Sequence, residues 1–297
     1  MTHFTRNQFQ AALETILGER RSGRPDQQIY QVDTLQNFEI SAKKIIADSI
    51  YRYGLGGAVD IAPGVLCQAP VPAAVHHDLV PSASYAAGVK LVELTIGAAN
   101  IAANEYAGGY LHVNDGTGQG QVKRILSHPA ALSGATCIFT LVDPLTTALD
   151  VANSLCAITR NPYNQAIIHP SPPTAKLVGV PVAAIPATRY GWFQTRGPAA
   201  VLTQGTLYIY QQVRPSATVD GAVAHAIQQI STGATGVSAA ENGALVNDSA
   251  GAENANLRIP KTVASTTYDI GSLQTIVGRV MRVEADTDYS LIDLALE

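Results

Sequence analysis

Charge is scarce in this sequence. Asp, Glu, Lys and Arg make up 14% of the 297 residues, against about 25% in ordinary soluble domains. The 19 basic residues are scattered, the densest cluster is Arg20, Arg21 and Arg24, and the net charge is −4. That leaves no cationic track able to displace counterions, so nucleic acid is excluded as a partner. Cysteine is scarce too. Cys67, Cys137 and Cys156 are odd in number and far apart, with no C-x-x-C, which excludes a disulfide framework and a thiolate metal site. Cys137 and Cys156 lie in apolar surroundings and read as small buried hydrophobes in a chain made in a reducing cytoplasm. Aromatics are 6%, with one tryptophan, too few for a sugar-stacking platform. Long apolar runs are missing: Ala86 to Leu111 is broken by Lys90, Glu93, Asn100, Asn104 and Glu105. No membrane span is expected, and the first ten residues lack the apolar core of a signal peptide.

What is present is Gly, Pro, Ala, Val and Thr in short alternating runs. Fourteen of the 42 charged residues fall in positions 1–60, a density about twice that of the rest, so a compositional boundary lies near Pro63. Phe9, Ala12, Leu13, Ile16 and Leu17 have helical spacing, and Ile40 to Arg52 suggests a second short amphipathic helix. Residues 60–88 carry Pro63, Pro70, Pro72 and Pro81 without clear periodicity. The reading is an N-terminal arm over 1–88, partly helical and ending in a Pro-rich linker.

From residue 89 the pattern is that of strands. Val89–Ile96, Tyr110–Val113, Gln121–Leu126, Thr136–Val142, Ser154–Thr159 and Ala166–His169 are rich in Val, Ile and Thr. Ala175–Ile185, Tyr190–Thr195, Ala199–Leu202, Leu207–Val213, Ile276–Val283 and Tyr289–Leu296 follow. Many short strands between turn signals predict a mainly β domain over 89–297, a small barrel, β-tulip or sandwich. A Gly-, Ala- and Ser-rich stretch over 216–262 reads as a long loop or insertion.

Two segments match at an offset of 99 residues: Gly179 with Gly278, Thr188 with Thr287, Tyr190 with Tyr289, and Trp192 with Leu291. Each copy reads strand, short turn, strand. The pairing implies either pseudo-symmetry within one barrel or two related small β units. Gly179 and Gly278 fit a bulge or a close backbone approach.

Candidate chemistry is thin. Gly116 to Gly120 lacks the G-K-[ST] ending of a phosphate loop and reads as a hairpin tip. His76 and His77 are adjacent, so on an extended chain they point to opposite faces, and an exposed linker is the expectation. Glu284, Asp286 and Asp288 alternate and could face a calcium ion, but the repeat puts them in a turn, where Asp is ordinary. No G-x-S-x-G elbow occurs. Trp192 reads as core. No catalytic residue, cofactor or metal site is assigned, and an enzyme is not expected.

Gly108-Gly109-Tyr110-Leu111-His112-Val113-Asn114-Asp115-Gly116, followed by Gln121 to Ile125, resembles structural proteins of tailed bacteriophages. So does Val178 to Ile185 followed by Tyr190 to Ala199. The C-terminal segment from Val277 through Tyr289 to Leu296 resembles the closing hairpin of small-barrel head-decoration proteins. The resemblance implies a non-enzymatic capsid decoration, or cement, protein: a virion component, often a homotrimer, bound to the major capsid protein on the head surface. A shell or tail protein is the alternative, though no long charged spine helix of the shell type is visible, and a β-rich hydrolase ranks below both.

Overall fold

The computed structural model describes residues 27–226 and 275–297. Their strands are β1 (Lys43–Ile46), β2 (Ser49–Gly56), β3 (Cys67–Gln68), β4 (Leu91–Thr95) and β5 (Tyr110–Asp115). Then come β6 (Val122–Ser127), β7 (Thr136–Leu141), β8 (Leu155–Thr159), β9 (Asn164–Ile168) and β10 (Leu177–Pro181). The last are β11 (Tyr190–Gln204), β12 (Gln212–Pro215), β13 (Val223–His225), β14 (Gly278–Arg282) and β15 (Tyr289–Ala295). The chain is mainly β, as its short β-branched runs predict.

The pairings close into rings. β2 lies parallel to β9; β9 is antiparallel to β3, β3 to β10, β10 to the first half of β11, and β11 to β2. This is barrel one. The second half of β11 lies parallel to β13; β13 is antiparallel to β12, β12 to β14, β14 to β15, and β15 to β11. This is barrel two, with the same strand order and the same single parallel pair. One continuous strand of 15 residues belongs to both.

The registers show that the two rings are copies. Val180 opposite Gln194 in barrel one becomes Arg279 opposite Asp293 in barrel two, both shifted by 99. Tyr190 opposite Leu55 becomes Tyr289 opposite Leu202, so the first strands differ by 147. Gly56 opposite Ala166 becomes Thr203 opposite Val223, so the third strands differ by 57. The offset falls from 147 to 57 because the chain between β3 and β9 carries an inserted unit. It rises again to 99 because more residues separate β13 from β14 than separate β9 from β10.

The insertion in barrel one is a third unit. Its five strands lie antiparallel in the order β4, β7, β6, β5, β8. Leu79 bridges to Cys156 on β8 and Pro81 to Leu94 on β4, so the segment around Val80 joins the two sheet edges. Its interior holds Val92, Leu94, Leu111, Ile125 and Phe139, all fully buried. Alternation along each strand sends those residues in and their neighbours out.

Interior positions of the two copies correspond as well: Cys67 with Val213, Ala166 with Val223, Val178 with Val277, and Phe193 with Ile292, all fully buried. Side-chain size is traded inside each ring. A methyl on Gly54 would meet the Phe193 ring at 2.9 Å. The equivalent of Gly54 is Val201, which has the smaller Ile292 as its cluster neighbour. Cores at crystal-like density require such compensation.

Several expectations change. Residues 40–52 form no helix; they make the β1–β2 hairpin, in which Ile46 pairs with Ser49 around Ala47 and Asp48. Tyr51 and Tyr53 are buried at a spacing of two, and that period prevails over the helical spacing of Ile40, Lys43 and Lys44. The stretch 27–88 is woven into the β-fold, β1 to β3 belonging to the ten-stranded sheet and Leu79 to the inserted unit, while residues 1–26 of the expected arm lie outside the described residues. The helix expected over 9–17 lies outside the described residues, as does most of the loop expected over 216–262. Within that loop, 223–225 form β13. The strands expected over 190–195 and 199–202 are one strand. Gly197, at φ +85, accommodates the crossing from ring to ring beside a register shift, and its missing Cβ leaves room for Ser49 and Asp48. Of the strand expected over 207–213, residues 207–211 are a loop.

Candidate interaction surfaces

The three cysteines are spent on packing. Cys67, Cys137 and Cys156 are free and buried. Burial pushes the Cys67 thiol well above its usual range, Cys137 up to about 11 and Cys156 up to about 12, so none is a ready thiolate. No group of three metal-ligating side chains occurs among the described residues. Glu284 pairs with Arg282 at 2.8 Å, and Asp286 Oδ1 accepts the Gly205 N–H at 2.7 Å. Both serve the turn before β15. Gly116 to Gly120 forms the tip of the β5–β6 hairpin.

His76 departs from the exposed-linker expectation. It is buried, and its Nδ1 lies 2.5 Å from the Tyr106 hydroxyl. His77 is exposed and pairs with Asp78 at 2.9 Å. Close by, His128 Nε2 accepts the Tyr106 N–H at 2.9 Å, and Nδ1 faces the Pro129 carbonyl at 2.8 Å. His128 is therefore a neutral ring protonated on Nδ1, and burial holds its pKa below the usual value. Arg160, whose guanidinium lies 5.6 Å from the Tyr106 ring centre, pairs with Glu105. These groups bind one another.

The repeat residues fall on equivalent places. Gly179 and Gly278 both lie where the partner strand approaches: an added Cβ would be 2.5 Å from the Gln194 carbonyl oxygen or 2.1 Å from that of Asp293. Thr188 and Thr287 both have positive φ, 58° and 68°, unusual for a β-branched residue. The turns close alike, with Arg189 N–H donating to the Pro186 carbonyl and Asp288 N–H to that of Ala285. Trp192 is buried with Tyr53, Tyr51 and Ile29 on the outside of barrel one, beneath residues 27–42. Phe38 and Tyr190 pack edge-on and stacked against Tyr53, and the Tyr53 hydroxyl donates to Asp33 at 2.9 Å. Leu291, the counterpart of Trp192, has no such cover among the described residues and stays partly exposed.

Two surfaces present large apolar side chains. The outer face of the inserted unit carries Leu91, Tyr110, Val122, Leu126 and Ile138, all exposed. The second surface is the loop joining the first two strands of barrel two. There Tyr208, Ile209 and Tyr210 are 63%, 71% and 73% exposed, next to Arg279, whose guanidinium stacks 4.9 Å from the Tyr210 ring centre. The sequence reading missed this tip because Leu-Tyr-Ile-Tyr is strongly β-favouring; Gly205 and Thr206, a turn signal just before it, were the available hint.

Comparison with protein-family models, curated proteins and solved structures yields no match. No helix of the described residues is long and apolar enough to cross a membrane.

Proposed function

We propose that this chain is a non-enzymatic virion structural protein, a capsid decoration (cement) protein that binds the major capsid protein on the head surface as a homo-oligomer, most simply a trimer. The observation that carries the reading is the outward presentation of bulky apolar side chains on closed rings. Leu91, Tyr110, Val122, Leu126 and Ile138 stand on strands whose inner faces are packed solid. Rigid apolar faces suit protein surfaces, since little side-chain freedom is lost when they are covered. Low charge and the sequence resemblance to phage head proteins point the same way.

The polar groups support a load-bearing role rather than a reactive one. Arg52 holds Glu297 through two nitrogens at 2.7 and 3.0 Å, tying the end of barrel two to β2 of barrel one. A structure joined by a shared strand, an inserted barrel and this clip resists separation of its parts.

The test is co-sedimentation of the purified chain with phage heads that lack it. Saturable pelleting, weakened by Val122→Asp and Ile138→Asp, is expected. A chain that ignores heads at every concentration overturns the proposal.

A further inference from the structure

The duplication identifies what the Tyr208–Tyr210 tip is for. In barrel one the loop between the first two strands ends in Pro63 and Gly64; in barrel two the same positions, shifted by 146, are Ile209 and Tyr210. The correspondence is structural. Gly64 N–H donates to the Pro181 carbonyl, and Tyr210 N–H donates to the Val280 carbonyl, which is Pro181 shifted by 99. Both residues adopt positive φ, +79° and +71°. Ile61 and Leu207, also 146 apart, are both buried at the base of the loop.

The two loops differ in what covers them. The barrel-one loop is seated on barrel two: Leu202 N–H donates to the Gly64 carbonyl, and a Cβ on Gly64 would strike the Tyr289 ring at 2.6 Å. Glycine is required there because the next barrel packs against it. Tyr210, by contrast, is 73% exposed with the Arg279 guanidinium over its ring, and the chain places this bulky aromatic in a left-handed conformation that such residues avoid. Backbone strain kept at an exposed aromatic tip is a mark of use.

We infer that this tip docks on a second copy of the same chain, head to tail, repeating between molecules the contact that barrel one makes with barrel two within one. The seat follows from the same equivalence. The barrel-one loop rests on the Leu202 and Tyr289 pair of barrel two, and the corresponding pair in barrel one is Leu55 and Tyr190. The Leu55 and Tyr190 side chains line an open cleft of about 680 Å³ with Ile40, Ala103 and Ala107. The Leu55 N–H is already bonded to the Tyr163 carbonyl, so the tip enters by its side chains rather than by a new backbone bond. Glu39 and Glu105 in the cleft are already paired with Arg124 and Arg160, and Arg282 on β14 with Glu284, so the contact rests on apolar fit. A contact between two different patches builds a ring if the rotation closes and a filament if it does not.

The inference deepens the proposed function, yet its test needs no phage particle. The full chain is weighed by light scattering over a concentration series, alone and as variants. Wild type is expected above the 31.2 kDa of one chain, and Ile209→Asp and Tyr210→Gly at that mass. Tyr210→Gly restores the residue found in barrel one, so an unchanged circular dichroism spectrum shows that lost assembly is not lost folding. Ala103→Arg, in the cleft, is also expected at the mass of one chain. Mixed in equal amounts, Ile209→Asp and Ala103→Arg regain one intact tip and one intact seat, and are expected to stop at the mass of two chains. A monomeric wild type, variants that keep the wild-type mass, or a mixture that stays monomeric would overturn the inference. A monomer that still pellets with heads leaves the decoration role standing; an oligomer that ignores heads leaves the contact standing without it.

Discussion

Gly278→Ala tests whether the rings are closed and coupled. A methyl at this position would lie 2.1 Å from the Asp293 carbonyl oxygen and 3.1 Å from Ile292 Cγ2. Relief needs a shift on the order of 1 Å. β14 is held by β12 on one side and β15 on the other, so it cannot shift without straining bonds on both. In an open strand, Gly→Ala would stabilise by about 0.5–1 kcal/mol. Here overpacking costs about 1–3 kcal/mol, and one or two weakened ladder bonds about 1 kcal/mol each. The net loss is about 1–4 kcal/mol, or about 2–16 °C in Tm for a unit of this size. The assay is paired melting, by far-ultraviolet circular dichroism and by fluorescence of Trp192, the single tryptophan. Trp192 sits on barrel one, yet β11 runs through both rings, so both probes should shift together. An alanine variant that melts at or above wild type would refute the close approach. A shift in circular dichroism without one in fluorescence would refute the coupling.

Further outcomes follow. His128, buried and accepting a backbone N–H, has a folded pKa below its unfolded value of about 6.5. The unfolded chain takes up the proton first, so stability should fall as pH drops below about 6.5 and stop falling below the folded pKa. His128→Gln should remove that slope in urea melts at pH 5 to 7, and a slope unchanged by the substitution would contradict the assignment. Gly64→Ala adds left-handed strain of about 1 kcal/mol and a clash with Tyr289. It should lower stability by about 2 kcal/mol or more, whereas Gly88→Ala, at φ +91 with open space around it, should incur the strain alone; equal losses in denaturant titrations would count against the seated loop. The three buried thiols should react with a bulky disulfide reagent only on unfolding, and a fast-reacting thiol in native protein would show that a barrel is open.

Much of the β-fold was legible. The strands from β4 to β10 were visible because each is a short β-branched run between turn residues. The β10–β11 and β14–β15 hairpins were visible as a repeat because Gly, Thr and Tyr are needed at the same turns in both. The rest of the duplication was hidden by insertions of different length, which change the offset from 147 to 57 to 99. It was hidden also by compensation, since Gly54 with Phe193 and Val201 with Ile292 fill equivalent space with no shared residue. β1 and β2 were misread because Ile40 to Arg52 satisfies two periods at once, and pairing with β11, a non-local contact, decides between them. The tip at Tyr208 to Tyr210 resembles a strand in composition; its exposure depends on what lies opposite, which local sequence does not encode.

Electron cryomicroscopy of phage heads lacking this protein, saturated with the purified chain, would decide the proposed role. Ordered density is expected outside the shell at repeated symmetric positions, with the inserted barrel against the major capsid protein and neighbouring copies joined tip to cleft. Heads that stay bare under saturating protein, or density confined to the tail, would contradict it.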